Sequence, residues 1–370
     1  PPRRSSDLKD RIVVIGGYGQ AGRTVSALLG GLYPGKVFAA GRNLERAEQF
    51  CRTTGGAVGP MKFDVRETPD AGFWRATRLV VMCADRTDPA FVRACLENGT
   101  HYADISADGA FLSEVEALHG TARAHGATAV INVGLAPGLT NLMASYAAGR
   151  LDRTARLDIG LLLGTGDRHG KAGIEWVIDN LGTDFELETD GGRKRVSNFS
   201  DGRKTDFGGG LGTWTAYRFN FSDQHALRKT LNIPLVSTRL CLDSRALNAL
   251  LALFKAAGLL KALRNRRMRD LAVRLFERIK IGSDTVAVKI DAWGERGGEK
   301  LHVEVFMHGR KESAVTGTVA AFVADRLYRA DHASGVFHID QIFDLEELLR
   351  WSDHAFRVEA AINGHRFAIR

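Results

Sequence analysis

Ile12-Val13-Val14-Ile15-Gly16-Gly17-Tyr18-Gly19-Gln20-Ala21-Gly22 decides the fold. Four apolar residues in a row suit a strand buried on both faces, and a glycine turn then hands the chain to an amphipathic helix over 21–29. Gly17, Gly19 and Gly22 stand as GxGxxG. Alone, that spacing says little, because glycines are frequent in loops. Between a strand and a helix, in a unit of about thirty residues, it reads as a dinucleotide-binding turn running from Gly17 through Tyr18, Gly19, Gln20 and Ala21 to Gly22. Gly17 permits the tight turn, Gly19 lets a diphosphate approach the backbone, and Gly22 lets the helix close on the strand. The diphosphate would rest on the unpaired N–H groups of the helix start.

Outward from this turn, short apolar runs alternate with amphipathic stretches. Strands are expected at 36–40, 61–65, 79–83, 101–105 and 128–133, and helices at 44–51, 89–98 and 114–125. Steady alternation argues for a parallel sheet covered on both faces, a Rossmann-type doubly wound α/β fold. From about residue 139 the rhythm changes to longer strands with helices between them, which reads as a second, mixed α+β substrate domain. The expected boundaries are 1–138 for the dinucleotide-binding domain, 139–325 for the substrate domain, and 326–370 for a tail returning towards the first. A hairpin is expected over 284–292 and 300–308, and another at the end of the chain, where Asn363-Gly364 supplies a type I′ turn.

The end of the second strand reads Ala39-Ala40-Gly41-Arg42-Asn43. A carboxylate at this place accepts from the ribose 2′-OH of NAD. Here Arg42 stands instead, and a guanidinium suits a 2′-phosphate, so NADP (as NADPH) is expected, with NAD less favoured. Asn43 accompanies it.

Composition bounds the rest. At 370 residues the chain is long enough for two domains, and its 44% hydrophobic and 25% charged residues are globular values. Lys+Arg at 51 against Asp+Glu at 43 gives a net charge of +8, which favours anionic partners but does not imply nucleic acid. Cys51, Cys83, Cys95 and Cys241 form no CxxC pair, the histidines show no ligand spacing, and no metal is expected. The opening residues lack an apolar run after their arginines, and no run reaches the length of a membrane span. A cytoplasmic protein is expected.

Three further stretches carry a family resemblance. Phe63-Asp64-Val65, His101-Tyr102-Ala103-Asp104-Ile105-Ser106 and Asn132-Val133-Gly134-Leu135-Ala136-Pro137-Gly138-Leu139-Thr140-Asn141, taken with the glycine turn and Arg42, resemble the saccharopine dehydrogenase family over roughly residues 11–145. The resemblance implies hydride transfer between NAD(P) and a C=N bond, formed or cleaved as a secondary amine. The sequence departs at Ala107, where the family usually has glycine.

In such a fold the ligand lies beyond the carboxyl ends of the strands. Asp64, Val65, Cys83, Ala84, Asp85 and Gly134 stand at those ends and are expected to line the cofactor. Asp104 is a candidate catalytic carboxylate, although Asp at a strand end is at least as often a cap. From the second domain, His169, Lys171 and Tyr217 are candidate catalytic residues, His169 being suited to proton transfer, and Glu175 and Arg218 are candidates for substrate binding, with Lys171 and Arg218 able to hold a carboxylate. The expected partner is a small substrate bearing a carboxylate and an amine or carbonyl, and a homodimer is expected. Residues 245–280 hold ten Lys/Arg, with Leu247, Leu250, Leu251 and Phe254, then Met268, Leu271, Leu275 and Ile279, at helical spacing. Two helices packed by these apolar faces are the favoured reading there. A membrane-surface patch, fitting a reductase of a lipid or polyketide-like C=C or C=O bond, is the alternative, and a non-catalytic scaffold is the third reading.

Overall fold

The computed structural model of the chain describes residues 9–84, 88–167, 170–189, 192–278, 282–329, 332–353 and 355–369. The chain forms two compact units, one of residues 1–138 with 316–342, the other of 139–315 with 343–370. The division at 315 and 342 differs from the expected 325. One apolar helix, Glu312–Arg329, runs through both 315 and 325, so no break in pattern marks the boundary there. Residues 343–370 belong to the second unit, and the returning segment is only 316–342.

In the first unit, β1 (Arg11–Ile15), β2 (Val37–Gly41), β3 (Val58–Lys62), β4 (Thr77–Met82), β5 (His101–Asp104) and β6 (Thr128–Ile131) form one parallel sheet. Its order is β6-β5-β4-β1-β2-β3, with the strand Gly335–His338 added beside β6. The strand order reverses at β1, which pairs β2 on one side and β4 on the other. This is the doubly wound sheet expected above, and its crevice opens at the carboxyl ends of β1 and β4. Ile12, Val13 and Val14 are wholly buried, as strands covered on both faces require. β3 begins three residues earlier than expected and contains Pro60. Proline interrupts the apolar pattern but is admitted here because β3 is the edge strand.

The second unit is built on an eight-stranded mixed sheet whose order is Arg203–Asp206, Thr213–Arg218, Val236–Leu242, Arg153–Leu163, Thr285–Arg296, Glu299–Arg310, Arg357–Ile362 and His365–Ala368. The central hairpin turns on Gly297-Gly298 alone, both at positive φ, and its strands are longer than expected. Asn363 and Gly364 also have positive φ, as a type I′ turn needs. The hairpin Asp184–Thr189 and Gly192–Ser197 was not foreseen: Phe185 and Leu187 alternate with acidic residues and are buried, but its second strand is largely charged and exposed. The glycine-rich turn at 208–212 is anchored: Phe207 is wholly buried, its carbonyl 2.8 Å from His308 Nε2.

One buried carboxyl in this unit gives a pH test. Asp223 is fully buried, accepts from Thr238 Oγ1 at 2.6 Å and from the Gln224 N–H at 2.7 Å, and burial pushes it up to about 6 from 3.8. An acid raised in the folded state keeps a proton that the unfolded chain has released. Stability is therefore full below the unfolded value and falls as pH rises from about 4 through about 6. Asp223→Asn is expected to flatten that decline, restoring roughly 3 kcal/mol at neutral pH. Thermal melts from acid to neutral pH check it, and an unchanged slope would count against it.

Candidate functional site

The glycine turn after β1 divides its work differently from the expectation. Gly16 has φ +76°, and a Cβ there would lie 2.8 Å from the Cys83 carbonyl oxygen, so Gly16, not Gly17, makes the tight turn. Gly17 has ordinary φ but is squeezed, since a Cβ would come within 2.7 Å of Val14 O and 2.8 Å of Ala39 Cα. Ser26 Oγ of the helix α1 (Gln20–Leu32) donates to Gly17 O at 3.0 Å and pins the loop. Gly22 faces Gly16 O at 2.1 Å from its missing Cβ, which is the close helix–strand approach foreseen for it. Gly19 alone is open, with only Gly16 O, at 3.0 Å, near its missing Cβ.

Gly19 caps α1 without a side-chain hydrogen bond, and no acidic residue stands in the first turn. Among the described residues the N–H groups of Gln20, Ala21 and Gly22 thus bond no carboxylate, and the positive helix end faces the opening left at Gly19. That cradle fits the diphosphate of a dinucleotide.

The second motif is joined to the first by Tyr18. Its ring lies against Gly41, where a Cβ would come within 2.4 Å of the hydroxyl, and its oxygen accepts the Asn43 N–H at 3.0 Å. Asn43 caps α2 (Leu44–Arg52) by accepting the Arg46 N–H at 2.9 Å. The Arg46 guanidinium sits 5.6 Å from the Tyr18 ring centre. Arg42 and Arg46 are both exposed and form no ion pair among the described residues. Across from them the Arg66 guanidinium holds Asp64 down to about 2, with Arg42 adding to the effect through space. Asp64 is committed to Arg66, while Arg42 and Arg46 remain available to a phosphate. Arg46 escaped the sequence reading, although its place one turn into α2 from the Asn43 cap was the available signal. Val65 packs on the core of this unit.

The other wall is Cys83, whose N–H donates to Ile15 O at 2.8 Å and whose thiol burial pushes up. Ala84 follows, half-buried, and Asp85 lies outside the described residues. Gly134 is small because its missing Cβ would lie 3.1 Å from Pro137 O and 3.3 Å from Thr316 Cγ2. Asp104 is buried at 1% exposure, accepting from Tyr102 Oη and, at 2.6 Å, from the Ser106 N–H. Its carboxylate anchors the end of β5, as a strand-end cap would.

In the second unit, His169 lies outside the described residues, and Lys171 opens the helix Lys171–Leu181. Glu175 on that helix stands 3.8 Å from Arg269, which also grips Asp179 at 2.5 Å. Glu175 and Asp179 thus pair with an arginine of the neighbouring helix Arg266–Arg278. Tyr217 and Arg218, adjacent in sequence, are parted by the pleat: Tyr217 opposes Leu240 and stacks on Phe199 at 4.5 Å, while Arg218 opposes Arg239 on the other face.

Arg218 is the distinctive residue of that sheet. It is 8% exposed, and one guanidinium nitrogen is buried without a hydrogen-bond partner. Burial and then Arg239 lower it to about 10. Arg239 is itself 3% exposed and donates to Asp201 Oδ2 and to Ser237 Oγ, each at 2.6 Å. Asp158 accepts from Arg156, from Arg203 at 3.1 Å and from Ser237 at 2.6 Å. Four guanidiniums (Arg156, Arg203, Arg218, Arg239) thus share two carboxylates (Asp158, Asp201), an excess of positive charge beside Arg218, whose buried nitrogen has no partner among the described residues. A buried donor without a partner costs free energy until something, a water or an anion, satisfies it. Arg239 was missed, and its signal was an arginine inside the otherwise uncharged strand Val236–Leu242. Further along the sheet, Asp291, His302 and Glu304 lie within 4.8 Å of one another, but Lys289 Nζ at 3.2 Å from Asp291 and 2.8 Å from Glu304 already supplies their countercharge.

Residues 12–130 match the family model described as the saccharopine dehydrogenase NADP binding domain. Among solved structures, saccharopine dehydrogenase (L-Glu forming) from Saccharomyces cerevisiae matches with a TM-score of 0.67 at 13% identity, over 95% of this chain and 99% of that one. DAP dehydrogenase from C. glutamicum matches with a TM-score of 0.44 at 13% identity, over 93% and 99%. No curated protein matches the chain in sequence. No helix of the described residues is long and apolar enough to cross a membrane.

Proposed function

With residues 12–130 placed in the family of saccharopine dehydrogenase NADP binding domains, we propose that this chain is an NADP-dependent oxidoreductase that transfers hydride to or from a C=N bond of a small carboxylate-bearing substrate. The observation that carries the reading is the cradle at Gly19, open where its neighbours are packed and followed, across Tyr18, by two guanidiniums without carboxylate partners among the described residues. The N–H groups of Gln20, Ala21 and Gly22 hold the diphosphate, and Arg42 and Arg46 hold the 2′-phosphate. NADPH, when bound, supplies the hydride. Arg218, with Arg239 beside it, takes the substrate carboxylate, because a fork of donors matches that group and one of them lacks a partner. The proton that accompanies hydride delivery to an imine nitrogen is assigned to His169 or Lys171, each of which can carry it.

The test is steady-state oxidation of NADPH, followed by absorbance, over a panel pairing 2-oxo acids with amines and amino acids. Turnover is expected only when both partners are present, since the imine forms from the pair. Oxidation by the 2-oxo acid alone would make the protein a carbonyl reductase, and tight NADPH binding without turnover across the panel would make it a scaffold.

A further inference from the structure

The helices Arg245–Ala256 and Arg266–Arg278, joined by the short helix Leu259–Arg264, take no part in the sites described above. Their inner faces are occupied. Asn248 is buried and bonds both the N–H and the carbonyl of Leu242, at 3.0 and 2.7 Å. Val273 packs with Ile174 and Ile178, and Ala272 and Phe276 join them.

Their outer faces contradict the expectation that the apolar positions pack inward. Leu250, Phe254, Met268, Leu271 and Leu275 are all exposed. Seven of the twelve large apolar side chains exposed among the described residues fall between 250 and 275, so this is a patch and not a scatter. Leu253 is 63% exposed, Leu259 56% and Leu275 54%, values of side chains that project from a surface and do not line a groove. Interleaved with them, Lys261, Arg264, Arg266, Arg267 and Arg274 are exposed and make no ion pair among the described residues. By sequence, 245–278 carries nine basic residues (Arg245, Lys255, Lys261, Arg264, Arg266, Arg267, Arg269, Arg274, Arg278) against Asp270 and Glu277, an excess of seven.

We propose that this face docks on an anionic lipid surface. Projecting leucines interleaved with exposed cations suit an interface where the apolar tips enter the acyl boundary and the cations meet headgroup phosphates. A second copy of the chain would bring two strongly basic faces together. A partner peptide would need apolar walls to lie against, and leucines this exposed provide none. The inference stands on the exposure of these helices and does not depend on the redox reading.

Flotation of the full chain with phosphatidylglycerol-containing vesicles, compared with pure phosphatidylcholine vesicles, tests it. Binding to the anionic vesicles is expected to exceed binding to the zwitterionic ones by more than roughly tenfold and to weaken with salt. Replacing Leu253→Ser and Leu259→Ser together should remove it with NADPH binding unchanged, and Arg264→Gln, Arg266→Gln and Arg267→Gln together should remove its salt dependence. Failure to float with anionic vesicles at low ionic strength overturns the proposal. So does a concentration-dependent dimer that the Leu→Ser pair dissolves, which would assign the face to a second copy. Binding to poly-glutamate without binding to vesicles would assign it to an acidic protein and overturn it equally.

Discussion

Gly19→Val is expected to weaken NADPH binding severely and to leave the melting temperature within a few degrees of the parent, whereas Gly22→Val is expected to unfold the first unit. The contrast follows from the space at each position. A side chain at 22 meets Gly16 O at 2.1 Å and the Gly17 Cα at 2.9 Å, backbone that has nowhere to go, while one at 19 meets only a single carbonyl oxygen at 3.0 Å. Gly19 also has φ −75°, which any residue adopts, so backbone strain does not enter. What the valine fills is the approach to the helix N-terminus. The affinity for NADPH should fall by more than roughly 100-fold, about 2.7 kcal/mol, in a fluorescence titration. Arg42→Ala separates the two phosphate sites: it should weaken NADPH by roughly 10- to 100-fold and leave NADH nearly unchanged, because a charge-assisted hydrogen bond to the 2′-phosphate is worth about 1.5–3 kcal/mol. Equal weakening of both nucleotides by Arg42→Ala would defeat the assignment of that guanidinium. Retention of NADPH by Gly19→Val would remove the cradle itself.

The sheet beneath this cradle was readable because strands buried on both faces have only one way to look, an apolar run closed by turn residues, and β1, β4 and β6 all have it. Contacts between distant positions were not readable. Nothing in Gly41 announces that the Tyr18 ring will lie against it, and nothing in Gly16 announces the Cys83 carbonyl, since both needs arise only when β1, β2 and β4 are side by side. Pro60 hid the edge strand because its tolerance depends on having no outer neighbour. In the second unit the pleat decided matters: Tyr217-Arg218 looked like one polar cluster, and alternation sent the two to opposite faces. The leucines of 250–275 failed in another way. Helical spacing of apolar residues shows that a helix has an apolar face, and does not show whether that face meets the protein's own core.

Arg218→Leu is expected to raise the melting temperature or leave it unchanged while abolishing recognition of the substrate carboxylate. A buried guanidinium that gives structure must have partners, and its loss leaves them orphaned, at a cost of about 3–5 kcal/mol. Arg239 is such a residue, since it holds Asp201 at 2.6 Å and Ser237 at 2.6 Å, and Arg239→Leu should be strongly destabilising. Arg218 differs. It has a buried nitrogen without a partner, its first neighbour in charge is the like-charged Arg239, and burial opposes its protonated form. Removing it relieves repulsion and desolvation together, so the folded state should not suffer. On the proposed reading, a substrate carboxylate supplies the partner that Arg218 lacks among the described residues. The readout is a thermal melt with and without a dicarboxylate such as glutarate: the anion should raise the transition of the parent and do nothing for Arg218→Leu. Arg218→Lys should recover only part of the shift, because a single ammonium cannot match both carboxylate oxygens as a guanidinium does. A large loss of stability on Arg218→Leu without added anion would make Arg218 a structural residue, and the carboxylate would then have to be sought elsewhere in the second unit.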